Sequence, residues 1–140
     1  MKHTGFLFIF ASMSLRVGNI AEIKFLLLCT EMGHIVSKPI MDGCNYDFIV
    51  DRGGVTNRVQ VKSTNSYSKR KNGYVVNVIH GKNTNGKRYN SSLVDEIAVY
   101  IYDYDAWYLI PVVGDSFVRY MVFSPHNPLS KAKYEKFRIK

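Results

Sequence analysis

Residues 45–64, NYDFIVDRGGVTNRVQVKST, constrain the fold more than any other stretch. Two runs with strand alternation are separated by a pair of glycines. Glycine enters the left-handed φ region without a Cβ clash, so Gly53 and Gly54 suit a two-residue hairpin turn. Given that turn, Arg52 faces Val55, and counting back along both strands sets Asp47 opposite Gln60. Side chains alternate along a strand. Tyr46, Phe48 and Val50 then share one face with Val59 and Val61, while Asp47, Gln60 and Lys62 share the other within one cross-strand neighbourhood. A half-solvated hairpin would turn that polar face to water, where an Asp–Lys pair contributes little. Ile49 lies on the same face as Asp47 and argues against plain solvent.

The stretch before the hairpin reads as a helix from residue 14 to 32, capped by Ser12 or Ser14 and stopped at Gly33. On a wheel of about 100° per residue, Lys24 and Glu31 mark the solvent side. Glu22 falls roughly 170° away, in an arc shared with Phe25, Leu26 and Cys29. A carboxylate in an apolar arc needs a partner, a cation or a shifted pKa, unless it sits at the edge and reaches water. An inward helical Glu followed by a hairpin with Asp, Gln and Lys suits metal-assisted phosphodiester hydrolysis. Mg²⁺ prefers hard oxygen ligands, which Asp47 and Glu22 supply as carboxylates and Gln60 as an amide oxygen. Lys62 would orient the attacking water or stabilise the charge that develops on phosphorus.

The segments GNIAEIKFLLLCTEMGHIVSKP and YDFIVDRGGVTNRVQVKST, with DEIAVYIYDYDAWYLIP further on, resemble the PD-(D/E)XK nuclease superfamily. The likeness is to its small homing endonucleases of the group I intron type, with archaeal Holliday-junction resolvases more distant. It runs from residue 18 to about residue 111. The resemblance implies an α+β (α/β) fold of the restriction-endonuclease-like kind, a mixed central β-sheet flanked by helices in an α-β-β-β-α-β core. It also implies divalent-metal-dependent cleavage of double-stranded DNA with Mg²⁺, for which Mn²⁺ can substitute. Asp47 takes the place of the motif's Asp and Lys62 that of its Lys. Gln60 stands where the motif has Asp or Glu, and Glu22 matches the acidic residue many members carry on the first helix. There are two departures: Tyr46 stands where the motif has proline, and neutral Gln60 removes one charge from the metal site.

The order of elements elsewhere is compatible with α+β. HIVSKP reads as a short extended piece, YVVNVIH as a third strand, and EIAVYIYD and WYLIPV as two more around a turn at residues 103–105. FVRYMVF reads as a further strand and LSKAKYEKF as a closing helix. No linker or repeat interrupts the 140 residues, so one nuclease-like domain is expected, with a core over 14–111 and a C-terminal strand and helix over 112–140. Residues 1–13 read as an N-terminal extension, upstream of a start at Met13, or as an edge strand. The competing reading is a secreted basic protein, because MKHTGFLFIFASMS has the outline of a short signal peptide. The apolar run from 5 to 11 is far too short to span a bilayer. A cytoplasmic protein without a membrane segment is therefore expected. Cys29 and Cys44 form no C-x-x-C pair, and the histidines at 3, 34, 80 and 126 lack zinc-ligand spacing.

The net charge of +8 favours a polyanionic partner. Its clearest local sources are two polar loops, one with Lys69, Arg70 and Lys71 and one with Lys82, Lys87 and Arg88, flanked by Tyr67 and Tyr89. Beside a nuclease site these six are the expected DNA contacts; alone they read as solvated loops. A chain of this size covers few base pairs, so a long site calls for a homodimer or higher homo-oligomer. The function expected is a site-specific homing-type endonuclease. The alternatives are an inactive DNA-binding module of the same fold, and a resolvase-like nuclease.

Overall fold

The computed structural model describes residues 2–80, 86–127 and 132–140, with side chains from residue 16 onward. Helix α1 spans Lys2–Glu31. It stops where expected: Gly33 has φ 79°, its N–H donates to the Thr30 carbonyl, and the His34 N–H donates to the Cys29 carbonyl. That pair of bonds is a Schellman cap. The helix begins earlier than expected. Residues 2–13 are helical rather than an edge strand, and Ser12 and Ser14 lie inside the helix instead of capping it. A short apolar run fits either period, and no proline interrupts this one.

Among the described residues the strands are β1 (Ile35–Ser37), β2 (Phe48–Arg52), β3 (Val55–Thr64), β4 (Tyr67–Ser68), β5 (Gly73–Asn77), β6 (Ile79–His80), β7 (Lys87–Arg88), β8 (Glu96–Ile101), β9 (Ala106–Pro111) and β10 (Tyr120–Phe123). A mixed five-stranded sheet has the order β1-β2-β3-β8-β9, and a three-stranded sheet the order β10-β5-β4. Strands β6 and β7 form a separate hairpin. In the main sheet only β3 and β8 are parallel. A parallel pair needs a long crossover, commonly a helix. Here β4 to β7 make that crossover, and among the described residues it contains no helix. The expected third strand is split in two, and neither part belongs to the main sheet.

Among the described residues the mixed sheet is flanked by α1 on one face and by the small sheet on the other. On one face Ala21, Phe25, Leu28 and Cys29 of α1 pack against Phe48, Val50, Val59, Val61 and Trp107. The Phe25 ring lies 5.7 Å from that of Phe48 and 5.5 Å from that of Trp107. On the other face Ile97, Val99, Tyr108 and Ile110 meet Tyr74, Val76, Met121 and Phe123. Leu26 departs from its expected arc and is 42% exposed, and the outward side of α1 is apolar, with Ile23 and Leu27 open to solvent. Tyr46 precedes β2, escapes its alternation and packs on the small-sheet side.

Residues 129–131 of the expected closing helix lie outside the described residues, and over 132–137 the one helical element is a 3₁₀ turn at Glu135–Phe137. Nine residues make a marginal helix. Tertiary bonds compete successfully: the Trp107 N–H donates to the Lys140 carbonyl, the Ile139 N–H donates to the Trp107 carbonyl, and the Tyr108 hydroxyl donates to Glu135 Oε2 at 2.9 Å. Among the described residues, no helix is long and apolar enough to cross a membrane.

Two acid–base pairs lock the parallel register. Arg52 Nη1 and Nη2 donate to Glu96 Oε1 and Oε2 at 2.9 and 2.7 Å. Arg58 donates from its backbone N–H to Asp95 Oδ2 at 2.7 Å and from Nη2 to Asp95 Oδ1 at 3.0 Å. Hydrogen bonding from Arg58 holds the Asp95 carboxyl below the ordinary carboxylate range. A depressed folded-state pKa stabilises above the unfolded-state value, and that stabilisation is lost as pH falls through the folded one. Asp95→Asn is therefore expected to destabilise the protein by about 1 kcal/mol at neutral pH, a figure kept small by partial exposure. Urea unfolding at neutral pH and near pH 3 should show the gap to the unsubstituted protein closing under acid.

Candidate active site

The two-glycine turn forms as expected. Gly53 and Gly54 have φ 66° and 96°, and Arg52 pairs with Val55. The Gly54 N–H donates to Asp51 Oδ1 at 2.7 Å, closing the turn. The register runs back to Phe48 opposite Val59, and the Asp47 N–H donates to the Val59 carbonyl. Regular pairing ends there. The next inward N–H of β3, that of Val61, takes the Asp47 side chain instead of a strand carbonyl, at 2.8 Å to Oδ2. The Gln60 amide donates to the same oxygen at 2.7 Å. Asp47 Oδ1 and Gln60 Oε1 accept no hydrogen bond from the described residues.

Lys62 is one strand period beyond Gln60. Its ammonium lies 3.5 Å from the Ile79 carbonyl and 5.6 Å from the centre of the Tyr89 ring. Burial pushes its pKa below that of an ordinary lysine, against the pull of Asp47. Burial also pushes the Asp47 carboxyl up, and Glu22 adds to this. The Val61 N–H, Lys62 and Lys38 oppose the rise.

Glu22 reaches the same place from α1. It lies at the flank of the buried helix face, with its side chain 27% exposed, and Lys38 Nζ is 2.9 Å from its Oε2. Glu22, Lys38, Pro39, Tyr46 and Asp47 line a common cleft. The structure therefore brings Asp47, Gln60 and Lys62 together on the hairpin and sets Glu22 across the cleft from Asp47.

The five described basic loop residues are not gathered in the same way. Lys69, Arg70 and Lys71 are exposed in the turn between β4 and β5, where Lys71 Nζ lies 3.6 Å from the centre of the Tyr120 ring. Lys87 and Arg88 are exposed on β7, and Lys82 lies outside the described residues. The hairpin of β6 and β7 is the nearer of the two to Lys62, through Ile79. Tyr89 does not flank a solvated loop: it is 2% exposed and faces the site. Lys38 gave no signal in the sequence, because only the return of the chain past α1 places it beside Glu22.

The donor set fits a hard divalent cation. It offers Asp47 Oδ1, Gln60 Oε1 and a Glu22 oxygen, the kind of partial shell that Mg²⁺ completes with water and phosphate. Among the described residues no three His, Cys, Asp or Glu side chains cluster at metal-binding spacing, and Gln60 is not of those types.

Comparison with known proteins bears on the family and the fold. Residues 13–127 match a family model described as PD-(D/E)XK endonuclease. A solved structure of the bacterial homing endonuclease I-Ssp6803I aligns with a TM-score of 0.71 and 25% sequence identity. The alignment covers 86% of this chain and 85% of that one. None of the curated proteins matches.

A carboxyl whose pKa is raised by the fold loses stability as it ionises. Asp47→Asn keeps an oxygen for the Val61 and Gln60 donors and removes the buried charge. With EDTA present this variant should melt at or above the temperature of the unsubstituted protein. Ca²⁺ should raise the melting temperature of the unsubstituted protein and leave that of Asp47→Asn unmoved, as measured by thermal denaturation.

Proposed function

This chain belongs to the PD-(D/E)XK endonuclease family, and we propose that it is a divalent-metal-dependent, site-specific DNA endonuclease of the homing type. The observation that carries this reading is the juxtaposition on one hairpin of Asp47, Gln60 and Lys62, with Glu22 across a shared cleft. Likeness to a homing endonuclease over most of both chains supports the finer assignment. Asp47, Gln60 and Glu22 are the residues that would hold Mg²⁺, or Mn²⁺ in its place. When bound, such an ion polarises the phosphodiester and lowers the pKa of a water molecule.

The side chains do the rest. Lys62 reaches the reacting phosphate as a donor and stabilises the charge that develops on its oxygens. Asp47 holds Lys62 charged against the desolvation of its surroundings. Gln60 fixes the rotamer of Asp47 by donating to Oδ2 and leaves the carboxylate's other oxygen open. Lys38 pairs with Glu22 Oε2 at 2.9 Å and would have to give up that oxygen for Glu22 to serve as a metal ligand. Double-stranded DNA is held by Lys69, Arg70, Lys71, Lys82, Lys87 and Arg88, and recognition of a long site uses a homodimer or higher assembly inside the cell.

The second reading, an inactive DNA-binding module, rests on Gln60, which leaves the site one negative charge short. A plasmid-nicking assay separates the two. With Mg²⁺ or Mn²⁺ the unsubstituted protein should nick. Asp47→Ala and Lys62→Ala should each lose at least about a hundredfold, the scale of a lost charge-stabilising group, and EDTA should abolish nicking. Metal-independent DNA binding by folded protein, with no cleavage of any cognate site, would instead favour the module. Replacing Lys69, Arg70 and Lys71 together by alanine should weaken binding at all sequences. It should also reduce the slope of log K against log salt by up to about 0.9 per lost phosphate contact, measured by fluorescence anisotropy.

A further inference from the structure

Lys62 has an unusual environment for an ammonium group. It is largely withdrawn from water, yet among the described residues no carboxylate oxygen lies within 4.0 Å of its Nζ. Its hydrogen-bond partner, the Ile79 carbonyl, is at 3.5 Å, the outer limit of a useful contact. A buried cation held so loosely needs a second source of stabilisation and orientation. The ring of Tyr89 supplies one, with its centre 5.6 Å from Nζ, inside the range in which an aromatic face attracts a cation.

That ring is itself fixed. Tyr89 is 2% exposed and belongs to the core between the two sheets. Its carbonyl accepts a hydrogen bond from the Phe117 N–H at 2.8 Å, and its ring rests against His80 at 5.3 Å between centroids. Two anchored elements thus meet at Lys62: the backbone of Ile79 on β6, and the residue that follows β7. Both contacts come from the crossover between β3 and β8.

We propose that Tyr89 is a positioning residue for Lys62, its ring face holding the ammonium aimed at the reacting phosphate. The proposal rests on the endonuclease reading for its consequence and on geometry alone for the contact. The ring is what acts, so Phe should replace Tyr89 and Leu should not.

The first readout needs neither DNA nor metal. In NMR spectra of the unsubstituted protein and of Tyr89→Phe, the ε-methylene protons of Lys62 should be shifted upfield by the ring current. In Tyr89→Leu that shift should vanish. Unshifted ε-protons in the unsubstituted protein would overturn the proposal, whether or not Tyr89→Leu folds.

The second readout is cleavage. Tyr89→Phe should stay within about threefold of the unsubstituted kcat. Tyr89→Leu should lose about tenfold in kcat with KM for DNA unchanged, the scale of one such interaction made at the reacting charge. In a Lys62→Ala background the Leu substitution should cost nothing further. An equal loss in that background would assign Tyr89 to packing and overturn the proposal. If no cleavage is seen with any substrate, the endonuclease reading fails, while the ring-current result still decides the contact.

Discussion

The two-residue turn at Gly53 and Gly54 is the constraint on which the rest of the structure depends. Two consecutive positive φ values close β2 against β3 without slack, and the register that follows admits no one-residue slip without turning every side chain to the opposite face. Val50, Phe48, Val59 and Val61 are thereby committed to α1, and Gln60 and Lys62 to the opposite face, where Lys62 meets Ile79 and Tyr89. Asp47 falls where regular pairing with β3 ends, so its carboxylate rather than a carbonyl meets the Val61 N–H. The site is thus placed where a ladder runs out, which frees backbone donors for a side chain.

The site is expensive in stability. Asp47 and Lys62 are both withdrawn from water, and burial shifts each toward its neutral form. They oppose one another's shifts only in part. A second carboxylate in place of Gln60 would add repulsion to Asp47, already raised by Glu22. The glutamine removes that repulsion and contributes a hydrogen bond in its place, at the expense of one charge in the donor set. The surrounding framework tolerates the strain because it is held elsewhere. Arg52 with Glu96 and Arg58 with Asp95 fasten the start of β8 to the hairpin, and two apolar layers enclose the sheet.

Local rules made part of this legible. The alternation of FIV and VTNRVQVKS, the glycine pair and Gly33 each act within a few residues and formed where the pattern placed them, while Tyr46, at the end of the expected strand, did not. The errors have a common form. Residues 2–13 fit helix or strand equally by period, the described part of LSKAKYEKF had helical composition but too little length, and YVVNVIH divided at Val78 into β5, which pairs with β10, and β6, which pairs with β7. In each case a tertiary contact or a competing local state decided against the pattern. The tail is the clearest instance, since Tyr134 and Phe137 pack on the core while residues 139 and 140 bond to Trp107.

By itself, the sequence determined the hairpin register and with it the proximity of Asp47, Gln60 and Lys62, because backbone dihedrals and the pleat are local and leave no freedom once the turn is set. It also marked Glu22 as a carboxylate in need of a partner. Only the tertiary structure decided which partner that is, and how the chain crosses from β3 to β8. It also decided that Tyr89 lies buried against Lys62 instead of flanking a solvated loop. Those outcomes depend on packing between segments far apart in the chain, where the energy of burial rather than the preference of any one residue selects the neighbour.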